Sequence, residues 1–242
     1  MTFKDGDFLE IEYSAWASAD GRLISTTDEK SAKEASIYNE KAHYGPVLVI
    51  IGSNSVIKGL DREIRSMSTG ESRKMTFKPE DAFGDRQQDL VRIMPLSEFR
   101  KRDMEPYPGM QVDIDNTTAI VKSITSGRVT VDMNHPYAGQ EITYEVKVLK
   151  ALDSEKERLA ALGRTYGVEP SSSETKGDSM SVRYANGVRK NADYFIGKAN
   201  MIASVFTYFK GIKKVEVTEE YLRPEENSKE GKEMDEAGAA EE

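Results

Sequence analysis

The feature that most constrains this chain is a change of texture near residue 86. Up to Pro79 the pattern reads as strands and helices of ordinary length. From 86 to 134 it breaks into short apolar runs: VRIMP, PLSEF, MQVDI, AIVKSI and RVTVDM. Turn signals fall between them at PYPG, Asn116 and Ser126-Gly127. Past Pro136 a long alternation returns in EITYEVKVLKAL, with Ile142, Tyr144, Val146 and Val148 on one face. The span 86–134 therefore reads as a small β-rich unit set between segments of different character.

The flanking segments carry their own patterns. In DFLEIEYSAWA, Leu9, Ile11, Tyr13 and Ala15 share one face and Glu10, Glu12 and Ser14 the other, a half-buried strand. Asp20-Gly21 predicts a turn and Arg22 to Thr26 a second strand. Residues 28–42 read as partly helical, VLVIIG at 47–52 as a buried strand, and SRKMTFK at 72–78 as another. Ile57, Leu60, Ile64 and Met67 have helical spacing, although Gly59 costs that helix about 1 kcal/mol in propensity.

Beyond residue 152 the spacing predicts a capped helix over 153–162 with Gly163 as its stop. A flexible break follows at 171–179, then a strand in MSVRYA. A strongly apolar helix over 192–210 comes next, with Phe195, Ala199, Ile202, Phe206 and Phe209 on one face and Met201 and Val205 beside it, and IKKVEV forms a last strand. This is a small α+β domain, and the apolar width of its second helix predicts a homodimer contact.

Composition excludes several functions. With no cysteine, the chain has no disulfide framework, thiolate nucleophile or Cys-based metal site. His43 and His135 stand alone, so no metal site is expected. The net charge is −8, but residues 225–242 hold eight acids and two lysines, leaving the rest nearly balanced. That acidic tail is expected to be disordered. No basic face suggests nucleic-acid binding. No apolar run reaches the roughly 18 residues of a membrane span, and MTFKDGDFLEIEY has no secretory pattern, so a cytoplasmic location is expected.

Taken in order, the strand with Tyr13, the segment Val49 to Asp61 containing VIKGLD, KPEDAFG at 78–84, and the closing strand around Tyr144 resemble the FKBP family of peptidyl-prolyl cis–trans isomerases. KPEDAFG is followed by the small β unit and then NHPYAGQ, which is similar to SlyD-type members whose flap is interrupted by an insert-in-flap chaperone domain. The extra C-terminal segment is similar to the long archaeal FKBPs. The resemblance implies an α+β fold: an antiparallel sheet with a packed helix, a β-rich insert in the flap, and a C-terminal α+β domain. Its segments would be an FKBP domain over 1–85 and 135–152, the insert over 86–134, the C-terminal domain over 153–224 and the tail over 225–242.

The resemblance also implies an apolar pocket and no cofactor. Tyr13, Ile57, Phe83 and Tyr144 would carry catalysis. Ile24, Ser25, Val47, Val49, Val56, Leu60, Tyr137 and Ala138 would contact substrate. Two departures from the family pattern stand out: Ser25 occupies a position where Asp is usual, and Phe83 one where many members have Tyr. His135 has no companion His, Cys or nucleophile, so MNHPYAGQ reads as the return hinge from the insert, not as a catalytic turn. Met94, Met104, Met110 and Met133, with Val91, Ile93, Phe99, Ile114, Ile120 and Val121, are more apolar surface than so small a unit buries. That surplus suits unfolded-polypeptide clients. The expected function is a proline isomerase and folding chaperone; the alternative is a holdase with little isomerase activity.

Overall fold

The computed structural model describes residues 2–115, 117–185 and 191–221. The turn expected at Asn116 and the acidic tail lie outside them. The chain divides into two compact units, Met1–Ala151 and Leu152–Glu242. Both mix helices with sheets, and most strand pairs are antiparallel.

The first unit is organised around β1 (Phe8–Ala17). Its alternation sends Leu9, Ile11 and Ala15 into the core, with none of their surface left exposed. One edge of β1 pairs along most of its length with β9 (Ile142–Ala151), which pairs in turn with β4 (Ser72–Phe77). The other edge is shared: β3 (Val47–Ile50) takes Phe8 to Ile11, and β2 (Arg22–Thr26) takes Ser14 to Ala17. Between these partners Tyr13 has no register partner in either strand. Its amide donates to Thr27 Oγ1 at 3.0 Å, and its carbonyl accepts from the Thr27 amide at 2.9 Å. A short helix α1 (Glu29–Glu34), capped by Asp28, follows β2.

Helix α2 (Lys58–Ile64) covers the sheet with Leu60 and Ile64. Asp61 holds it in place, accepting from the Gly52 amide at 2.7 Å and from Arg65 at 2.7 Å. The glycine that weakens this helix has a packing reason. A Cβ on Gly59 would lie 2.4 Å from the ring of Phe77 and 3.0 Å from the carbonyl of Asp81. The helix gives up propensity in order to approach β4 closely.

Between β4 and β9 the chain builds a separate four-stranded sheet in the order β5 (Val91–Pro95), β8 (Arg128–Asp132), β7 (Thr117–Thr125), β6 (Gln111–Ile114). A helix of five residues, α3 (Leu96–Arg100), contributes Phe99 to its core. That core is small: seven buried residues, with Met94, Met104, Met110 and Met133 packed half-buried at its margin.

The second unit differs from expectation in three places. Helix α4 (Glu155–Thr165) starts with a capping box from Ser154 and Glu157, but it runs through Gly163. A Cβ there would lie 2.8 Å from Glu169 and Pro170, so this glycine permits close approach and does not stop the helix. The span read as a flexible break contains β10 (Ser172–Lys176), paired with β11 (Ser179–Tyr184) through a turn at Gly177. A strand this polar has no alternation to announce it; pairing along an exposed edge makes it. Helix α5 (Ala192–Tyr208) buries Tyr194, Gly197, Met201 and Val205 and leaves Phe195, Ile196 and Phe206 exposed, so the apolar face read from the sequence is mostly the outer one. It returns to β12 (Lys214–Glu219), parallel to β11. Glu219 accepts from Tyr194, Lys198 and Tyr221, tying that strand to the helix.

Candidate active site

The core of the first unit is not covered completely. Tyr13, Ile24, Val47, Val56, Ile57, Phe83 and Tyr137 pack against it while keeping part of their surface open. Together they line a cavity of about 580 Å³. Leu60 of α2 and Val49 of β3 form its floor, and Tyr144 of β9 closes its back. All the residues singled out from the sequence meet here except Ala138, which is buried in the turn behind Tyr137 and does not line the cavity. Leu48, Asn54, Ser55 and His135 also line it.

Local structure explains each wall. Ile57 caps α2, and its own backbone is extended (φ −58°, ψ 150°). The Ile57 N–H finds no acceptor among the described residues. Arg62 of α2 forks onto Asp81 at 2.9 and 2.7 Å, anchoring the turn that delivers Phe83. Tyr13 reaches across from β1, and its hydroxyl bonds Ser25 Oγ at 3.0 Å. The serine that stands in place of the usual Asp therefore still holds this tyrosine, through a neutral bond instead of a charged one. Tyr13 and Tyr144 rings lie 5.7 Å apart, and Phe77 meets Tyr144 edge-on behind them. Burial, and then the neighbouring Tyr13, push the Tyr144 phenol up to about 12.

The outer wall comes from two chain arms, one entering and one leaving the small sheet. Phe83 stands on the first. His135 and Tyr137 stand on the second, where Ala138 N–H donates to the His135 carbonyl at 2.9 Å. Gly139 follows at φ +77°, and its amide donates to the Gly84 carbonyl at 2.8 Å, joining the arms. A few residues further out a buried polar clamp joins them again. Asp132 accepts from Arg86 and from both the amide and the side chain of Asn134. Asn134 in turn bonds both backbone groups of Gln87. Desolvation raises the Asp132 carboxyl, but the Asn134 hydrogen bonds and the Arg86 and Lys122 charges together hold it below its ordinary range.

His135, read from the sequence as part of the return hinge, also lines the cavity. Its ring lies flat on Phe83, centroids 4.1 Å apart and planes 13° apart. Partial burial holds its imidazole below the ordinary 6.5. The stacking partner is fifty-two positions away in sequence, so no local pattern could have announced the contact.

Chemically, the lining holds no carboxylate, ammonium or guanidinium. Among the described residues no group of His, Cys, Asp and Glu is placed to hold a metal ion. A second concavity of about 590 Å³ exists, but it is lined by Glu12, Asp28, Glu29, Glu145 and Lys147. That charged surface suits a solvated face, whereas the apolar cavity suits a flat, uncharged group that must be held dry.

Comparison with known proteins agrees with this geometry. A family model described as FKBP-type peptidyl-prolyl cis-trans isomerase matches residues 1–99, and one described as FKBP26, IF domain, matches residues 92–137. The chain is 32% identical over 154 residues to the short-type peptidyl-prolyl cis-trans isomerase of Methanocaldococcus jannaschii, a match covering 64% of this chain and 97% of that protein. It is 33% identical over 142 residues to the FKBP-type peptidyl-prolyl cis-trans isomerase SlyD of Vibrio cholerae, covering 57% and 70%. A probable FKBP-type 16 kDa isomerase of Pseudomonas fluorescens is 30% identical over 109 residues, covering 43% and 71%.

Proposed function

Since the chain belongs to the FKBP-type peptidyl-prolyl cis-trans isomerase family, we propose that it isomerises X-Pro bonds of unfolded or partly folded polypeptides and chaperones those same clients. The single observation that carries the reading is the apolar cavity with no charged group in its lining. Rotation about an X-Pro bond is opposed by amide resonance, with a barrier of about 18–20 kcal/mol. The twisted amide separates less charge than the planar one. A dry apolar pocket therefore disfavours the planar ground state relative to the twisted state, and no nucleophile, metal or proton transfer is needed. The free N–H of Ile57 at the pocket floor is available to hold a peptide carbonyl in place. Tyr13, Phe83 and Tyr144 shape the slot around the proline ring.

In this reading the sheet over Val91–Asp132 is an insert in the flap of the isomerase body and captures clients. Ile93 and Tyr107 are about two-thirds exposed there, beside the half-buried methionines. Capture next to the pocket raises the local concentration of proline bonds. The exposed Phe195, Ile196 and Phe206 of α5 support a homodimer contact in the second unit, and the whole protein would act in the cytoplasm.

A protease-free exchange NMR assay on a blocked Ala-Leu-Pro-Phe peptide tests the isomerase half. Catalysis above background is expected from the full chain, and no acceleration would end that reading. The neutral Tyr13–Ser25 bond supports a second reading, a holdase with weak isomerase activity. That reading predicts that Ser25→Asp raises the rate several-fold while suppression of client aggregation stays unchanged.

A further inference from the structure

The residue that the isomerase reading leaves unused is His135. Three observations converge on it. It lines the cavity at the mouth, with its ring flat against Phe83. Its Nδ1 accepts the amide N–H of Tyr137, two residues along the turn, at 3.3 Å. A ring nitrogen that accepts must be unprotonated, so the neutral ring carries its proton on Nε2. The turn thereby selects one tautomer and leaves the Nε2–H of His135 as a donor in a slot whose lining carries no charged group.

We propose that His135 is a substrate-contacting, specificity-determining residue of this pocket, whose neutral Nε2–H donates to a backbone carbonyl of the bound proline peptide, and that its protonation shuts the site. The inference rests on the isomerase reading for its kinetic consequence but not for the contact itself. A peptide threaded through the slot must place carbonyls beside the proline, and each loses its water on entry. An unpaired carbonyl there weakens binding, and a donor at the rim restores it.

Protonation undoes the arrangement twice. A proton on Nδ1 abolishes its bond with the Tyr137 amide, which turns one donor against another. It also puts a full charge in a wall that works by being apolar. The groups that could titrate alongside it are few. From β1, β9 and its own turn, the ionisable groups in the lining are the phenols Tyr13, Tyr144 and Tyr137, none of which gains a positive charge in acid. β2, β3, α2 and the loop before it contribute no ionisable group to the lining. Along the two arms Asp81 is paired with Arg62 and Arg86 with Asp132, and Asp85 lies outside the lining. Acid sensitivity of the pocket therefore has one source. Burial lowers the folded-state value of His135 from 6.5, so the site stays neutral and open at pH 7 and closes as pH falls through that lowered value.

The test combines exchange NMR of the full chain with the same blocked Ala-Leu-Pro-Phe peptide between pH 5 and 7.5 and 15N spectra of its two imidazoles. The expected kcat/KM is level near neutrality and falls by up to about tenfold per pH unit below the His135 midpoint. His135→Phe keeps the stack on Phe83 and loses the donor. It should raise KM about fivefold at pH 7.5, leave kcat nearly unchanged, and flatten the acid limb. His43→Gln, outside the pocket lining, should keep the wild-type profile. A level wild-type profile, an acid limb that survives in His135→Phe, or an imidazole protonated on Nδ1 at pH 7.5 would overturn the inference. Should catalysis be absent altogether, the isomerase reading fails separately. The contact is then decided by the Nε2 resonance of His135, which shifts on saturation with peptide if it donates and stays in place if it does not.

Discussion

The two sheets of the first unit present apolar surface in opposite ways. The larger sheet buries its inner face beneath α2 and leaves an apolar concave opening. Its pocket walls are rings and branched aliphatics, each backed by core that leaves no surface open, such as Leu60, Ile11 and Val146. The smaller sheet has only α3 to cover it, and its surplus apolar surface is spread over methionines and the outward Ile93 and Tyr107. Rigid rings with few rotamers hold one geometry, whereas unbranched thioethers adapt to many. The same driving force yields a shaped slot where the core is deep and an accommodating surface where it is shallow. Between the two lies the Asp132–Asn134 clamp, which fixes the arms that carry Phe83 and His135.

The largest expected effect tests the deep core. Leu60→Ala should cost about 2–5 kcal/mol of stability and most of the isomerase activity, because the surrounding sheet cannot collapse into the space. Urea unfolding and the exchange assay read both. Met104→Ala in the insert should cost less, since its side chain is only half-buried. Equal losses would remove the contrast between the two sheets.

A smaller effect tests the clamp. Asp132→Ala leaves the buried Asn134 side chain short of an acceptor and should cost about 1–3 kcal/mol, with faster hydrogen exchange at the Gln87 amide. The pH dependence has a fixed sign. Because the folded carboxyl lies below its ordinary 3.8, its contribution is complete above that value and is lost as pH falls through the folded-state value. The variant should lack that part of the acid limb. Unchanged exchange at Gln87 would show that the arms need no clamp.

The smallest effect on stability tests the shallow surface. Ile93→Lys should change unfolding free energy by no more than about 0.5 kcal/mol, since the side chain is about two-thirds exposed. The same substitution should weaken suppression of client aggregation while leaving tetrapeptide isomerisation intact. Loss of both activities together would show that the two surfaces are not separable.

Much of this was legible in order and alternation. The period-two patterns of β1 and β9 announced strands with a buried face, and the helical spacing of Leu60 and Ile64 announced α2. The short runs after residue 86 announced a separate β-rich region, because turn residues and alternation are local properties. The membership of the pocket came from resemblance and not from any pattern. Polar β10 left no trace, since an exposed edge strand is made by its neighbour. Gly59 read as a weakness inside a helix and Gly163 as a helix stop, yet both serve close approach to chain elsewhere in the fold. On α5 two apolar faces compete in the sequence, and packing chose the one with Gly197 and Met201.

By itself, then, the sequence determined the order of segments, which follows from near-neighbour chemistry, and, through resemblance, the family and the apolar character its pocket implies. Only the tertiary structure decided that Ser25 still holds Tyr13, that Asp132 and Asn134 clamp the arms, and that His135 lies flat on Phe83 at the pocket mouth. These are contacts between residues far apart along the chain. Hydrogen bonds and ring stacking depend on distances of a few ångströms, which the order of residues does not encode until the sheet brings them together.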